Sequence, residues 1–342
     1  MSVTVWHTHG APDPEFARRW SARLARAPHA HFALDAGYLG WEAAHGRHAT
    51  LALVDEGGRG GALVLRHETG GRVSGWPWRW QMVVEDPART TPEGLDADEI
   101  EWLLEHARRL AGPARLRCFT PMAAPAGTPG FAAGATTLRA IGGADDEVLR
   151  SLDTNKRRLI RRAQGEGFTV MPAAGVEALR VFERLQRETE RRRGEAPIPA
   201  RAGTPAPGEH WREWEHPWML LLVAQRGGVI EAGSGYGIVP GGMMDYRANG
   251  STLDAKKAGA NMLLAFEALR LGRERGCRWM NWGGVTEFKR EMGGSRVEVT
   301  CRLGGGALWS VPNRIQSALH HARPRVVAWW RARRGAAGRE SA

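Results

Sequence analysis

Met219-Leu220-Leu221-Leu222-Val223 is followed by a glycine pair, Gly227-Gly228, and then by a second extended run, Val229 to Ile238. Short apolar runs on either side of a Gly-rich turn read as a β-hairpin. The pattern decides the fold because it occurs twice. Upstream, Leu51-Ala52-Leu53-Val54 leads into Gly57-Gly58-Arg59-Gly60-Gly61 and then Ala62-Leu63-Val64-Leu65. A helical pattern precedes each hairpin. In the first copy it is Glu15 to Arg26, with Phe16, Trp20 and Leu24 spaced by four; in the second it is Val176 to Arg193. Each hairpin is followed by a further strand, Arg79 to Val84 or Met243 to Arg247. An amphipathic helix comes next, Asp96 to Leu110 or Ala260 to Arg275, closed by Gly112 or Gly276. A last short strand, Arg115 to Phe119 or Arg278 to Trp282, ends each copy.

The two copies lie roughly 160–170 residues apart, and the shared order of elements carries more weight than their slight identity. The expected fold class is α/β (α+β), with two tandem units of mixed, mostly antiparallel sheet flanked by helices. The units are expected at 1–145 and 146–310, with Gly130 to Asp146, rich in Gly and Ala, as the junction. Residues 311–335 read as a C-terminal helix returning to the first unit. The Pro-rich stretch Ala196 to Pro207 reads as a surface loop.

Composition excludes several classes. Of 342 residues, 42% are apolar and 25% charged, so neither wholesale disorder nor a coiled coil fits. No uncharged apolar stretch approaches the length of a membrane span. The start, Met1 to His9, lacks the basic and apolar segments of a secretory signal. Three scattered cysteines, Cys118, Cys277 and Cys301, suit neither a disulfide framework nor a zinc site. A cytoplasmic protein is the resulting expectation.

The net charge of +11 points to a polyanion such as RNA, or to an anionic membrane surface. A GC-rich coding bias accounts equally well for the arginine excess. Of the 48 Lys and Arg residues only four are lysines, Lys156, Lys256, Lys257 and Lys289. Where the background writes Arg almost everywhere, a surviving Lys is a candidate for work a guanidinium does poorly. Its ammonium is a compact point charge.

Four local features carry candidate chemistry. In Asp153-Thr154-Asn155-Lys156-Arg157-Arg158-Leu159-Ile160-Arg161-Arg162, a helix cap is followed by cations crowded near the helix start. That placement opposes the macrodipole and suggests an anionic partner, or else a solvated basic face. Glu188-Thr189-Glu190-Arg191-Arg192 closes a helix. Asp245-Tyr246-Arg247-Ala248-Asn249-Gly250-Ser251 reads as a strand end entering a loop. In Asn281-Trp282-Gly283-Gly284-Val285-Thr286-Glu287-Phe288-Lys289-Arg290-Glu291-Met292-Gly293-Gly294, paired glycines frame a polar segment that can hold one lysine in place.

Taken in order, these motifs resemble the Fem family of aminoacyl-tRNA-dependent transferases, which are built from two GNAT-like units. The resemblance covers the second copy, about Leu149 to Leu303, by motif and the first by element order alone. It implies transfer of an amino acid from aminoacyl-tRNA to an amine acceptor, a peptidoglycan precursor or a small-molecule amine, with no other cofactor. The family's Phe-Lys pair matches Phe288 and Lys289, the lysine stabilising charge on the ester carbonyl. Arg192 and Tyr246, with Glu188, match acceptor-binding positions. Asp245 or Glu287 is a candidate proton acceptor. Lys156, Arg157, Arg158, Arg161, Arg162, Lys256 and Lys257 are the candidate tRNA contacts.

The sequence departs from the family in having no lysine in the first unit and Ala196 where an aromatic is usual. An acyl-CoA-dependent GNAT N-acyltransferase stays open, although Lys256 and Asn261 around Gly259 give only half of the acyl-CoA signature. A non-catalytic RNA-binding GNAT pair also stays open. His7-Thr8-His9 and His320-His321 lack partners at metal spacing, so no metal is expected. No stable protein partner is expected. Trp76-Pro77-Trp78-Arg79-Trp80 reads as packing or as a stacking platform, and Trp329-Trp330 among arginines as a candidate peripheral membrane contact.

Overall fold

The computed structural model describes residues 2–8, 10, 12–26, 32–44, 48–56, 59–69, 80–85, 102, 105–110, 115–120, 131–193, 214 and 216–304. The first half runs β1 (Ser2–His7), α1 (Pro14–Arg26), a 3-10 turn (Phe32–Leu34), α2 (Ala36–Ala44), β2 (Ala49–Glu56), β3 (Arg59–Thr69), β4 (Trp80–Glu85) and β5 (Arg115–Thr120). Then come β6 (Phe131–Ala140), α3 (Asp145–Ser151), α4 (Thr154–Gly165), β7 (Thr169–Pro172) and α5 (Gly175–Arg192). The chain continues through β8 (Met219–Arg226), β9 (Val229–Ile238), β10 (Met243–Ser251), α6 (Leu253–Ala258) and α7 (Ala260–Glu274). It closes with β11 (Trp279–Gly284), α8 (Glu287–Glu291) and β12 (Ser295–Gly304).

The twelve strands among the described residues join one sheet, in the order β1-β2-β3-β4-β5-β12-β6-β11-β10-β9-β8-β7. The order shows the duplication. Outward from the centre, β5-β4-β3-β2 and β11-β10-β9-β8 are equivalent runs. Each has an antiparallel hairpin and one parallel step, β4 with β5 and β10 with β11. The two central strands are exchanged. β6, from the end of the first copy, pairs with β11, while β12, from the end of the second, pairs with β5. β12 and β6 then pair with each other and make the sheet continuous. The stretch expected as the junction, Gly130 to Asp146, lies at this seam and contains a strand.

Local sequence explains the elements that frame the site. Phe16, Trp20 and Leu24 form the buried stripe of α1, and Asp13 Oδ2 accepts from the Phe16 amide at 2.9 Å to cap it. Asp153 caps α4 by accepting from the Asn155 amide at 2.8 Å, as expected. On β9, Gly233, Gly235 and Gly237 share one face, because alternate residues of a strand do. A β-carbon at these positions would lie 2.6, 2.0 and 2.1 Å from Phe182, Trp214 and Phe32. Aromatic rings therefore rest directly on the strand backbone. The opposite face carries Ser234, Tyr236 and Ile238, all buried, the last two in the core around α7. The first-half core, including Phe16, Trp20, Leu39 and Leu51, also takes in Met219 and Val239 from the second half. The halves thus share apolar burial as well as strands.

Two further expectations change. β10 continues as a strand to Ser251, so Tyr246 lies within a strand and not at its end. Phe288 and Lys289 lie in a short helix and not in an open loop. The C-terminal helix at 311–335, the Trp329-Trp330 pair, the Pro-rich loop and Trp76 to Arg79 lie outside the described residues. Among the described residues, no helix is long and apolar enough to cross a membrane.

Candidate active site

β10 and β11 run parallel only over Met243–Asp245 and Trp279–Asn281. Beyond that point β10 continues paired to β9 alone, with a register shift between Tyr246 and Ala248. The separation of two parallel strands opens a crevice in the sheet. Asn281 pins its base. Its Nδ2 donates to Asp245 Oδ1 at 2.9 Å, and its Oδ1 accepts from Thr136 Oγ1 at 2.6 Å and from the Gly283 amide at 2.9 Å. One side chain thus ties together β6, β10 and the end of β11. Asp245 is buried, 9% exposed, with Oδ1 engaged by Asn281, which gives this carboxylate a holding role.

A row of rings crosses the crevice. Tyr236 and Tyr246 lie 5.8 Å apart between centroids, Tyr246 and Trp282 5.9 Å, and Trp282 and Phe288 6.4 Å. Burial pushes the Tyr246 phenol up to about 12, with the Arg193 charge acting in the opposite sense. Above this row, Lys289 Nζ lies 5.9 Å from the Tyr246 centroid, a cation facing an aromatic ring. It also borders Gly283, where a β-carbon would be 3.5 Å from Nζ. Lys289 is half-buried, and burial holds its ammonium below the ordinary lysine value. Among the described residues no carboxylate lies within ion-pair distance of it.

The candidate residues fall into three groups. Phe288, Lys289, Tyr246 and Asp245 gather around the crevice. Arg192 sits at the end of α5, donating to the Ser251 carbonyl and to Thr189 Oγ1 at 2.8 Å, so it fastens α5 to the end of β10. Glu188, one turn earlier, is half-buried. The third group is the basic surface. Lys156 is 12% exposed and pairs with Glu291 at 2.9 Å, its Nζ 5.9 Å from the Phe288 ring. Arg157 bonds the Arg150 carbonyl and Thr154 Oγ1, and Arg162 pairs with Glu166 at 2.7 Å. Arg158, Arg161, Lys256 and Lys257 remain exposed, without a carboxylate partner among the described residues.

Thr136 and Arg139 carry no site signal in the sequence, because the small-residue stretch around them reads as a junction. Asn281 belongs to the glycine-framed motif, and its role as a three-way tie shows only in the structure. All three share polarity at strand positions that a buried sheet would fill with apolar residues. Cys277 is buried and its thiol is pushed up to about 11 by that burial, which makes it a poor nucleophile. The described residues contain no group of three His, Cys, Asp or Glu able to hold a metal.

No protein-family model matches the chain, and no curated protein matches it. Solved structures do. FemX superposes with a TM-score of 0.67 at 14% identity, covering 92% of this chain and 100% of that one. A conserved protein of unknown function from Bacteroides thetaiotaomicron gives 0.54 at 11%, covering 84% and 97%. The C-terminal domain of a putative lysylphosphatidylglycerol synthetase from Agrobacterium fabrum gives 0.52 at 14%, covering 89% and 95%. At such identities the likeness is one of fold. The fold is that of FemX, as the Fem resemblance of the motifs implies.

Proposed function

We propose that the protein is an acyltransferase that moves an amino acid from aminoacyl-tRNA to an amine, forming an amide bond. The observation that carries this reading is Lys289. Its ammonium is half-buried, has no carboxylate partner among the described residues, and stands over Tyr246 where β10 and β11 part. A cation so placed interacts with negative charge that develops during reaction more strongly than with a neutral ground state.

In the proposed step the neutral acceptor amine attacks the ester carbonyl of the aminoacyl end. Negative charge gathers on the carbonyl oxygen and is met by Lys289. The C–N bond forms, the ester C–O bond breaks, and the leaving ribose oxygen takes the proton the amine gives up. Glu287, exposed in the first turn of α8, is the candidate carrier for that proton. No covalent enzyme intermediate is needed, consistent with the inert Cys277. The acceptor class is a cell-wall precursor or a small-molecule amine. The exposed Arg158, Arg161, Lys256 and Lys257 supply the surface for tRNA phosphates.

Transfer from acyl-CoA is the alternative chemistry for this fold. It would use the amides at the start of α7 to hold a pyrophosphate. Here that corner is covered: Gly259 and Ala260 are buried, and a β-carbon at Gly259 would lie 2.4 Å from the Leu159 carbonyl of α4. The covering favours the tRNA reading.

The test is incubation with a charged tRNA pool and candidate amines, followed by mass spectrometry. Product that ribonuclease abolishes, and that the Lys289→Met variant fails to make, supports the proposal. Product from acetyl-CoA alone overturns it. Tight tRNA binding with no product from any amine would identify a binding module instead.

A further inference from the structure

α8 carries Lys289 but is only five residues long, far too short to be stable by itself. Its Thr286 cap makes no side-chain hydrogen bond. Something outside the helix must hold it. One hold comes from α4, where Lys156 pairs with Glu291 at 2.9 Å and the Asp153 amide donates to the Glu291 carbonyl at 3.3 Å.

The other hold is Arg139 on β6. It is 8% exposed, and among the described residues no carboxylate lies within ion-pair distance. A guanidinium desolvated against neutral acceptors alone is unfavourable, and an apolar side chain would fill the same space more favourably. Its two acceptors explain its presence. Arg139 Nη1 donates to the carbonyl of Met292, the residue that closes α8, and Nη2 donates to Ser151 Oγ at 2.7 Å. Ser151 ends α3 and itself donates to the Val148 carbonyl at 2.7 Å. The loop after α8 lies against the guanidinium, since a β-carbon at Gly293 would be 2.7 Å from Nη1. Only a planar fork of donors can bond both sides at once; a lysine at 139 could reach one of them.

We propose that Arg139 is a positioning residue for Lys289, fixing the end of α8 so that the ammonium stays over the Tyr246 ring and out of bulk water. Its consequence for rate rests on the transferase reading; the placement of Lys289 does not.

The chain has four lysines, so protein labelled with 13C-lysine gives four Cε signals, and Lys289→Met assigns one of them. Tyr246, the titratable ring facing Lys289, ionises only at about 12 and leaves the lysine midpoint readable. The charged groups around Lys289 are Glu287, Arg290 and Glu291 on α8 itself, Lys156 and Arg139 packed against that helix, and Arg193, whose charge reaches the Tyr246 ring. In Arg139→Met the Lys289 signal is expected to titrate higher than in the parent, closer to a solvated lysine, while Lys256 and Lys257 keep their midpoints. In the transfer assay kcat should fall about 10–100-fold, the scale of a small misplacement of a reacting group. KM for both substrates should stay near the parent value. Arg139→Lys, keeping one of two bonds, should recover part of both effects.

If Arg139→Met does not fold, Ser151→Ala removes the second acceptor while sparing the guanidinium, and should move Lys289 in the same direction by less. A Lys289 midpoint equal to the parent's in the folded variants overturns the inference. If the midpoint moves but no variant or parent transfers an amino acid, the positioning role stands and the transferase reading falls. If Lys289→Met abolishes transfer while the Arg139 variants match the parent in midpoint and kcat, only the positioning role falls.

Discussion

Asn281 Nδ2 donates to Asp245 Oδ1 at 2.9 Å across the last residue pair that β10 and β11 share before they separate. The hydrogen bond therefore marks where sheet ends and crevice begins. A carboxylate this buried needs hydrogen-bond donors to offset its desolvation, and Asn281 supplies one of them.

Asn281→Ala removes that donor, the acceptor for Thr136 and the acceptor for the Gly283 amide together. Urea denaturation should show a loss of about 3–5 kcal/mol, the range for breaking a buried polar network that includes a charge. Asn281→Asp, which sets two carboxylates against each other, should be at least as damaging at neutral pH and recover on acidification. A stable Asn281→Ala variant with unchanged m-value would show that the crevice base is held by the backbone alone.

Lys289 gives a pH signature. Burial lowers its pKa, so the folded state releases this proton more readily than the unfolded chain does. Between the lowered folded value and the ordinary unfolded value, the unfolded state binds more protons, so this group's contribution to stability rises with pH. Activity runs the other way, since transfer needs the ammonium. The alkaline limb of kcat should fall at a midpoint below the ordinary lysine range. Lys289→Met should reduce kcat by about 10²–10³-fold, the usual loss for one electrostatic donor. Single-turnover kinetics with purified aminoacyl-tRNA check both effects, and an unchanged rate removes Lys289 from the chemistry.

The limits of sequence legibility are physical. Lys289 stood out because lysine is rare here and glycines frame it, both local properties. The hairpin β8–β9 was readable with its outer limits, Met219 and Ile238, because alternation and turn chemistry are local too. β6 was not readable. Its sequence, Phe131-Ala132-Ala133-Gly134-Ala135-Thr136-Thr137-Leu138-Arg139-Ala140, is small and polar, and only pairing with β11 and β12, more than 130 residues away, makes it a strand. The exchange of β6 and β12 between halves is invisible to any local pattern for the same reason. Lys156 looked like a phosphate ligand because its neighbours are basic; Glu291, its partner, is distant in sequence.

Tyr246 should stay protonated across the working pH range. Burial sets its phenol at about 12, against roughly 10 in an unfolded chain. A raised value means that the protonated form is favoured by folding, so this stabilisation is complete below about 10 and is lost as pH rises towards 12. Tyrosinate absorbance in an alkaline titration of the native protein should show the Tyr246 component near 12, absent in Tyr246→Phe. A component near 10 would mean that the ring faces water. In the transfer assay Tyr246→Phe should raise the acceptor KM more than it lowers kcat.

The basic surface predicts a salt dependence. Each phosphate contact releases counterions, so the logarithm of affinity falls linearly with the logarithm of salt concentration. Arg158→Glu with Arg161→Glu on α4, or Lys256→Glu with Lys257→Glu on α6, should weaken tRNA binding and flatten that slope. Filter binding from low to moderate salt is the measurement. Lys156→Gln should behave differently, loosening α8 and lowering kcat with little change in slope. A slope untouched by both double variants would leave these residues as a solvated face.

The last prediction concerns the corner that brings α4 against α6 and α7. Gly259 has φ +96°, in the region open to glycine and strained for other residues. It is also the point of closest approach, for a β-carbon there would lie 2.4 Å from the Leu159 carbonyl oxygen, an atom of helix backbone that cannot swing aside. Gly259→Ala thus faces two independent penalties, backbone strain of about 1–3 kcal/mol and overpacking of similar size. Thermal or urea unfolding should show a loss on the order of 2–6 kcal/mol. Any folded variant must move α4 away from the corner, and α4 carries Arg158 and Arg161 as well as the Lys156 that grips α8. Weaker tRNA binding and a lower kcat should therefore appear together in Gly259→Ala, although residue 259 touches neither substrate in the proposed reaction. Gly235→Ala is the control. It meets the Trp214 ring on the opposite face of the sheet, so it should lower stability while leaving the salt slope of tRNA binding intact. Equal effects of the two substitutions on that slope would mean that the corner has no special link to the basic surface.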